Sequence, residues 1–541
     1  MTEKEFNLLH EPWILVKDRG GSIEEVSLTD LFRNAPRYQG LAGELPTQDI
    51  AILRLLLAIL HAVFARYDLE GEHVPIDSPG IALQRWKELW EKQMFPLDIL
   101  EEYLRHYEDR FYLFHPTRPF YQVAELGRST EYNVAKLNGE LSESNNKLRL
   151  FPQRSGSGKA GLTYQEAARW LININAYDDT ASKPMSKGLP SPGAGWLGKL
   201  GLIIATGDNL YETLLLNLVF LKDGSDEPWG EEMPAWEVDE ANAEERTEIV
   251  MPDNPSALYT LQSRRLLLKR DGGSITGYSL LGGDFFPKEN AFAEHMTLWR
   301  NNAKRADDPP QYNPRRHDSS RQLWRDFPAL VGLKEGDRQP GVIKWLARLK
   351  EEDLIKQKHF RFQTASVKYI DKDFSVKDVF GDSLSFSAGL LTSLGDKWLH
   401  RIIDEMAVTD MLVWQLGQLA RNLAMAAGDA DGTKQKEAAR EQAYHRLGAP
   451  FRRWLEGIDP VRDDNRVDEV CEQWWVQARG IVRSIGEELI NQTGPQAFVG
   501  RDIEDKNKKT RRRYVAPQEY NYFLYRISTR EALYERRTAN G

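Results

Sequence analysis

Cysteine is almost absent from this chain of 541 residues: Cys471 is the only one. A disulfide within the chain is excluded, and so are zinc fingers and ribbons, which need several thiolates. A reducing, cytoplasmic setting fits that composition. Long hydrophobic runs are absent too. The longest, "LLLAILHAVFA" (55–65), contains His61 and follows Arg54, and it falls short of the roughly 20 residues of a membrane span. The opening "MTEKEFNLLHEPW" has no apolar core of a signal peptide. No membrane partner is expected. A surplus of positive charge is also lacking. With 72 Lys and Arg against 81 Asp and Glu, the net charge is −9. A protein that clamped nucleic acid over its whole surface would be basic. Contact with DNA or RNA must therefore run through local patches, or through a larger assembly.

Assembled catalytic motifs are lacking as well. The ten histidines are scattered, with no H-E-x-x-H and no serine in a nucleophile elbow. His61, on an apolar stretch, reads as a core histidine. Two strings imitate chemistry. "RSGSGKA" (154–160) resembles a phosphate-binding loop but carries Gln153 where the first glycine belongs and Ala160 where Ser or Thr would meet magnesium. "GAGWLG" (193–198) matches a dinucleotide fingerprint in letters only, because it follows a Pro/Gly loop and precedes a strand-like run. Neither points to a nucleotide cofactor.

Aromatics are plentiful: fifteen Trp, twenty Tyr and twenty-one Phe. They serve cores first, and interfaces and base stacking second. The segment "LFHPTRPFYQV" (113–123) sets Phe114, Phe120 and Tyr121 on either side of two prolines, which forbid a continuous helix. Upstream, "EPWILVKDRGGSIEEVSL" reads as a hairpin turning at Asp18–Gly21, and "LTDLF" opens a short helix. "LPTQDIAILRLLLAILHAVFARY" is a buried helix, and residues 81–106 are helical. From 113 to about 380, short strands and helices alternate with Gly/Pro breaks. After about 385, four helical segments follow, near 393–428, 433–457, 465–492 and 516–538, with "NQTGPQAFVGRDIEDKNKKTRRR" as the last break. The expected fold is α+β: a large irregular mixed α/β domain (1–384) followed by a C-terminal four-helix bundle (385–541).

Basic residues gather in the irregular parts: "SRRLLLKR" (263–270), "RNNAKR" (300–305), "PRRHDSSRQLWR" (314–325) and "KNKKTRRR" (506–513), where six of eight residues are Lys or Arg. Such runs are ordinarily solvated loops, but basic loops are also how a protein follows a phosphate backbone.

Four stretches, in order, resemble the CasA-type large subunit of the type I-E CRISPR surveillance complex, Cascade. They are "FNLLHEPWILV…VSLTDLF", "LPTQDIAILRLLLAILHAVF", "FYLFHPTRPFYQV", and "LFPQRSGSGKAGLTYQEAARWLININAYD" through "GAGWLGKLGLIIATGDNLYETLLLNLV". The resemblance implies a non-catalytic subunit without cofactor or metal. Its partners would be the other Cascade subunits, the CRISPR RNA, double-stranded target DNA and the helicase–nuclease of the system. Such a subunit finds the protospacer-adjacent motif, starts strand separation and helps recruit the helicase–nuclease. Guide pairing reads the target, and protein reads only the short motif, here from the minor groove.

The same resemblance assigns residues. The motif-binding loop is Asp179, Thr180, Ala181, Ser182 and Lys183, after a "NINAY" strand end. The minor-groove donor is Lys288 or Asn290. The wedge is Gln363, Thr364 and Ala365, in a polar, loop-like segment with Thr364 at its tip. Phe151, Gln153, Arg154 and Lys159 lie in a loop toward the guide RNA and a neighbouring subunit. Lys506, Lys508, Lys509, Arg511, Arg512 and Arg513 form a patch for the displaced strand. "LFHPTRPFYQV" is a packing signature. Zinc, held by cysteines near the guide loop in some members, is not expected here. Two rival classes remain: a Trp/Tyr-rich hydrolytic enzyme, which a deep pocket with two close carboxylates would favour, and a scaffold that binds only protein.

Overall fold

The computed structural model describes residues 3–137, 160–180, 193–238, 252–284, 294–304, 308–333, 338–505 and 510–534. The chain divides into two compact units. The first comprises Met1–Ser319, Ala329–Lys356 and Phe360–Ser383; the second comprises Ser320–Pro328, Gln357–His359 and Leu384–Gly541.

The first unit is built of small antiparallel sheets around one apolar helix. Strand Ile14–Asp18 pairs with Ile23–Val26 on one side and Tyr38–Leu41 on the other, with Gly21 at φ +88° in the turn. Helix Leu28–Asn34 follows, its N-terminus capped by the Ser27 side chain. The Pro46–Phe64 helix has 19 residues, and length and composition alone would let it cross a membrane; 94% of its most apolar window is buried inside the protein. Its one arginine, Arg54, is 1% exposed and makes a bidentate ion pair with Glu294 at 2.7 and 2.9 Å, which is how a core helix tolerates a charge. His61 is fully buried, edge-on to Phe220 and Tyr259. Burial holds its pKa well below the ordinary histidine value, so it is neutral.

The helical run at 81–106 is two helices, Pro79–Lys92 and Leu97–His106, broken where Gln93 turns left-handed before Pro96. The "LFHPTRPFYQV" aromatics are all buried. Tyr112–Phe114 pairs with Glu5–Asn7. The Gln122 amide donates to the Leu113 carbonyl and accepts from the Leu268 amide, so the segment is tied to its neighbours by packing and backbone bonds.

The second unit is helical: Asp396–Ala427 with 32 residues, Thr433–Gly457 and Val467–Asn491 with 25 each, and Ala516–Arg526 with 11. The first packs against the other three. Trp474 anchors the core, stacked on Trp454 and donating its indole N–H to Thr409. Two expectations change here. The fourth helix ends at Arg526 and resumes only as Arg530–Tyr534, the last turn closed by Ser528 on the Tyr525 carbonyl. The break before it is no plain loop. It holds a short helix, Pro495–Val499, and a hairpin of Arg501–Asp505 with Thr510–Tyr514.

Candidate nucleic-acid interface

The stretch expected to end as a "NINAY" strand is instead the last turn of a helix, Tyr164–Tyr177. Thr163 and Glu166 form a full capping box at its start, and apolar residues at helical spacing face the core. The chain leaves this helix at Asp178 and Asp179, both buried. Their carboxylates take the Lys136 ammonium at 3.3 and 3.2 Å. Burial opposes the Lys136 charge, but the two carboxylates outweigh it and hold its pKa above the ordinary value. The carboxylate of Asp179, expected in the motif-binding loop, is thus turned inward onto Lys136.

Arg264 completes the anchorage. Its Nε meets the Asp178 carboxylate at 2.6 Å. One terminal nitrogen donates to the carbonyls of Asp178 and Asp179, at 3.2 and 3.1 Å, and to Gly193 at 2.6 Å. A single guanidinium therefore holds both ends of the 180–192 stretch. Gly195 must be glycine, because a Cβ there would lie 2.4 Å from the Ala176 carbonyl oxygen. That close approach accounts for "GAGWLG" without a nucleotide.

Gln363, Thr364 and Ala365 lie in the interior of an eleven-residue strand, His359–Tyr369, between Ile204–Thr206 and Val376–Ser387. The expectation of a loop with Thr364 at its tip is corrected. Alternation of polar and apolar residues (Arg361, Phe362, Gln363, Thr364) gave a strand once neighbours were there to pair. Gln363 is exposed, while Thr364 and Ala365 are 5% and 3% exposed. The three border a cleft of about 430 Å³ whose polar lining includes Lys17, Gln39, Asp49, Thr206 and Arg361. Burial raises the Asp49 carboxyl to about 6, although the Gly43 amide hydrogen-bonds it at 2.7 Å and pulls the other way.

The chain leaving helix Tyr164–Tyr177 and the strand His359–Tyr369 meet. The Thr180 amide donates to the Asp373 carbonyl at 2.9 Å, and its hydroxyl donates to the Lys372 carbonyl at 3.1 Å. Both acceptors sit in the turn between strands His359–Tyr369 and Val376–Ser387. Tyr369, at the end of strand His359–Tyr369, donates its hydroxyl to the Tyr177 carbonyl at 2.7 Å.

The family described as CRISPR-associated protein Cse1 matches residues 7–485. The chain belongs to the Cse1 family. A CRISPR-associated protein CasA/Cse1 from Thermus thermophilus is 29% identical over 429 residues, 79% of this chain and 78% of that protein. Thermobifida fusca Cse1 superposes with a TM-score of 0.79 at 31% identity, covering 98% of each chain. A chain of a CRISPR RNA-guided surveillance complex shares the fold at a TM-score of 0.61 and 17% identity, covering 90% of this chain and 99% of that one.

In this Cse1-family chain most of the basic runs are spent internally. "SRRLLLKR" is a strand, Arg264–Asp271. Arg264 pairs with Asp178, Arg265 with Asp284, Lys269 with Glu131 and Arg270 with Glu5. Arg316 pairs with Asp373, and Arg321 with Asp326. Arg325 lies over the Tyr444 ring, 3.4 Å from its centroid. Arg300 and Lys304 are exposed. In the 501–514 hairpin, Asp502 faces Arg513 and Glu504 faces Arg511. Arg511 reaches Asp502 at 3.3 Å, Arg512 reaches Glu519 at 2.6 Å, and Arg513 donates to the Val499 carbonyl at 3.1 Å. Ala181, Ser182, Lys183, Lys288, Asn290, Phe151, Gln153, Arg154, Lys159, Lys506, Lys508 and Lys509 lie outside the described residues. Among the described residues no group of three His, Cys, Asp or Glu is arranged to hold a metal. The sequence reading missed Lys136, Asp373 and the anchoring role of Arg264. A charge run carries no mark of which members are buried.

Proposed function

We propose that this chain is the large subunit of an RNA-guided CRISPR surveillance complex, reading a short motif in duplex DNA, starting strand separation and receiving the helicase–nuclease. Guide-RNA pairing then reads the rest of the target. The observation that carries this reading is the junction just described: a small-residue loop, anchored at both ends, is bonded through Thr180 to the turn of the strand that presents Gln363 beside an open cleft. Ala181, Ser182 and Lys183 approach the minor groove, whose degenerate code suits acceptance of several related motifs, and Lys288 or Asn290 donates to its acceptors. Gln363 is the side chain available to enter the stack beside the motif. Unstacking a step costs a few kcal/mol, offset by new contacts. Phe151, Gln153, Arg154 and Lys159 reach the guide RNA and a neighbouring subunit, and the basic stretch at 506–513 takes the displaced strand.

A hydrolytic role finds little support. A glycosidase needs two facing carboxylates, and the 430 Å³ cleft is lined by one, Asp49. The test is a gel shift of a guide-matched duplex by the remaining subunits and guide RNA, with and without this chain. Motif-dependent capture only when the chain is added is the expected result. Capture indifferent to the chain would overturn the reading.

A further inference from the structure

Between the wedge strand and its partner, Lys372 and Asp373 adopt φ of 54° and 58°. Two successive non-glycine residues in the left-handed region are uncommon, and they persist only where the surroundings hold them. Here the hold is visible. The Asp373 carboxylate takes both terminal nitrogens of Arg316 at 2.6 and 2.8 Å. The Asp373 and Lys372 carbonyls take the amide and hydroxyl of Thr180. Arg316 also lies over the Tyr369 ring at 5.2 Å. Tyr369 in turn packs so close to Gly198 that a Cβ there would fall 2.2 Å from its hydroxyl oxygen.

We propose that Arg316 and Asp373 are positioning residues that latch the motif-reading loop to the wedge strand, so that seating of the loop on its motif is passed to Gln363. This rests on the reading given under Proposed function. From Tyr369 to Gln363 is six residues of paired strand, about 20 Å of extended backbone. Val376–Ser387 pairs with this strand along one edge, and Ile204–Thr206 holds the other edge at Arg361–Gln363, so a displacement of the turn at Asp373 is carried along the ladder to Gln363. The bidentate fork makes the latch specific to arginine: a lysine keeps the charge but loses the second parallel bond. Asn at 373 still tolerates the left-handed turn, so Asp373→Asn weakens the latch and spares the backbone.

The experiment uses the assembled complex with guide RNA, and follows strand opening with a fluorescent base analogue beside the motif. Paired and pre-melted targets are compared, each with and without the motif. Asp373→Asn and Arg316→Gln are each expected to cut the motif-dependent acceleration of opening on paired DNA about tenfold. Capture of pre-melted, motif-bearing DNA should stay within about twofold. Arg316→Lys should recover part of the loss, and the double variant should be no worse than either single one, as members of one unit behave. An unchanged acceleration in both single variants would overturn the latch, as would an equal loss on pre-melted DNA, which marks a merely structural role. A wild-type complex whose capture and opening both ignore the motif would overturn the motif reading, and the latch with it.

Discussion

Two hairpins bear the polar residues on which function was expected to rest, and they are stabilised in different ways. The 359–387 hairpin belongs to a three-stranded sheet. Apolar residues of its first strand, Phe360, Phe362 and Val367, are buried, and its turn is held by Thr180 and Arg316. The 501–514 hairpin has two strands only, and two of its cross-strand pairs, Asp502 with Arg513 and Glu504 with Arg511, set acid against base. In the first, burial sorts the strand residue by residue, leaving Arg361 and Gln363 exposed and covering Phe360, Phe362 and Thr364. In the second little is buried, and Arg511 keeps 74% of its side-chain surface in solvent despite its partner. Polarity in a sequence thus means two things: a selected exception on a buried framework, or a solvated ladder whose charges screen one another.

That contrast can be broken at several points. The largest effect is expected at Arg264, which anchors the loop joined to the first hairpin. Arg264→Met leaves the buried Asp178 carboxylate with Lys136 as its one cation among the described residues and takes a donor from the Asp178, Asp179 and Gly193 carbonyls, and should cost about 3–5 kcal/mol in denaturant unfolding. Arg511→Met in the second hairpin should cost no more than about 0.5 kcal/mol. Similar losses at the two sites would erase the distinction.

Asp49, lining the cleft beside Gln363, comes next. Its pKa in the folded protein is raised to about 6 from 3.8, so the folded state keeps the proton longer than the unfolded one. Stability from this group is full below about pH 4 and is lost as pH rises through 6. Asp49→Asn should therefore be more stable than wild type by about 1–3 kcal/mol at pH 7.5, with the gain fading toward pH 4. Thermal melts at the two pH values measure it, and a gain that grows on acidification would contradict the burial argument.

Within the strand proposed as the wedge, Gln363 and Thr364 should part company. Gln363→Ala should slow opening of a paired target about tenfold, or about 1.4 kcal/mol, with rescue on a pre-melted target. Thr364→Val should leave opening within twofold. The Thr364 hydroxyl is buried with no hydrogen-bond partner among the described residues, and its removal is neutral or stabilising. Equal effects at 363 and 364 would show that the strand, not Gln363, acts.

The smallest effect is expected in the second hairpin. Arg511→Glu together with Arg513→Glu should leave the melting temperature nearly unchanged and reduce the salt slope of DNA capture by about 1–2. An unchanged slope would leave these arginines to the charge ladder alone.

Much of the framework was legible because its signals are local. The Pro46–Phe64 helix announces itself by an apolar face nearly all round and a proline at its first position, and the three long bundle helices by their length. Local signals failed where partners came from afar. "NINAY" looks strand-like residue by residue, but the Thr163–Glu166 capping box and packing against the Pro46–Phe64 helix made it helical. The polar run at 361–366 reads as a loop until Ile204–Thr206 arrives to pair with it. "TRRRY" reads as part of a loop until Arg501–Asp505 pairs with it.

The sequence by itself determined the family, the mixed α/β unit followed by long helices, the near-absence of thiol chemistry and the want of any assembled catalytic motif. These depend on composition, on ordered motifs and on periodicities that a helix or strand expresses alone. Only the tertiary structure decided which of many similar charges do what. Arg264 and Arg316 lie in runs that look as solvated as any other. One is buried against Asp178, and the other is forked onto Asp373. The energy of an ion pair depends on the distance and burial of its partner, and those partners stand 86 and 57 residues away, beyond what local pattern can carry.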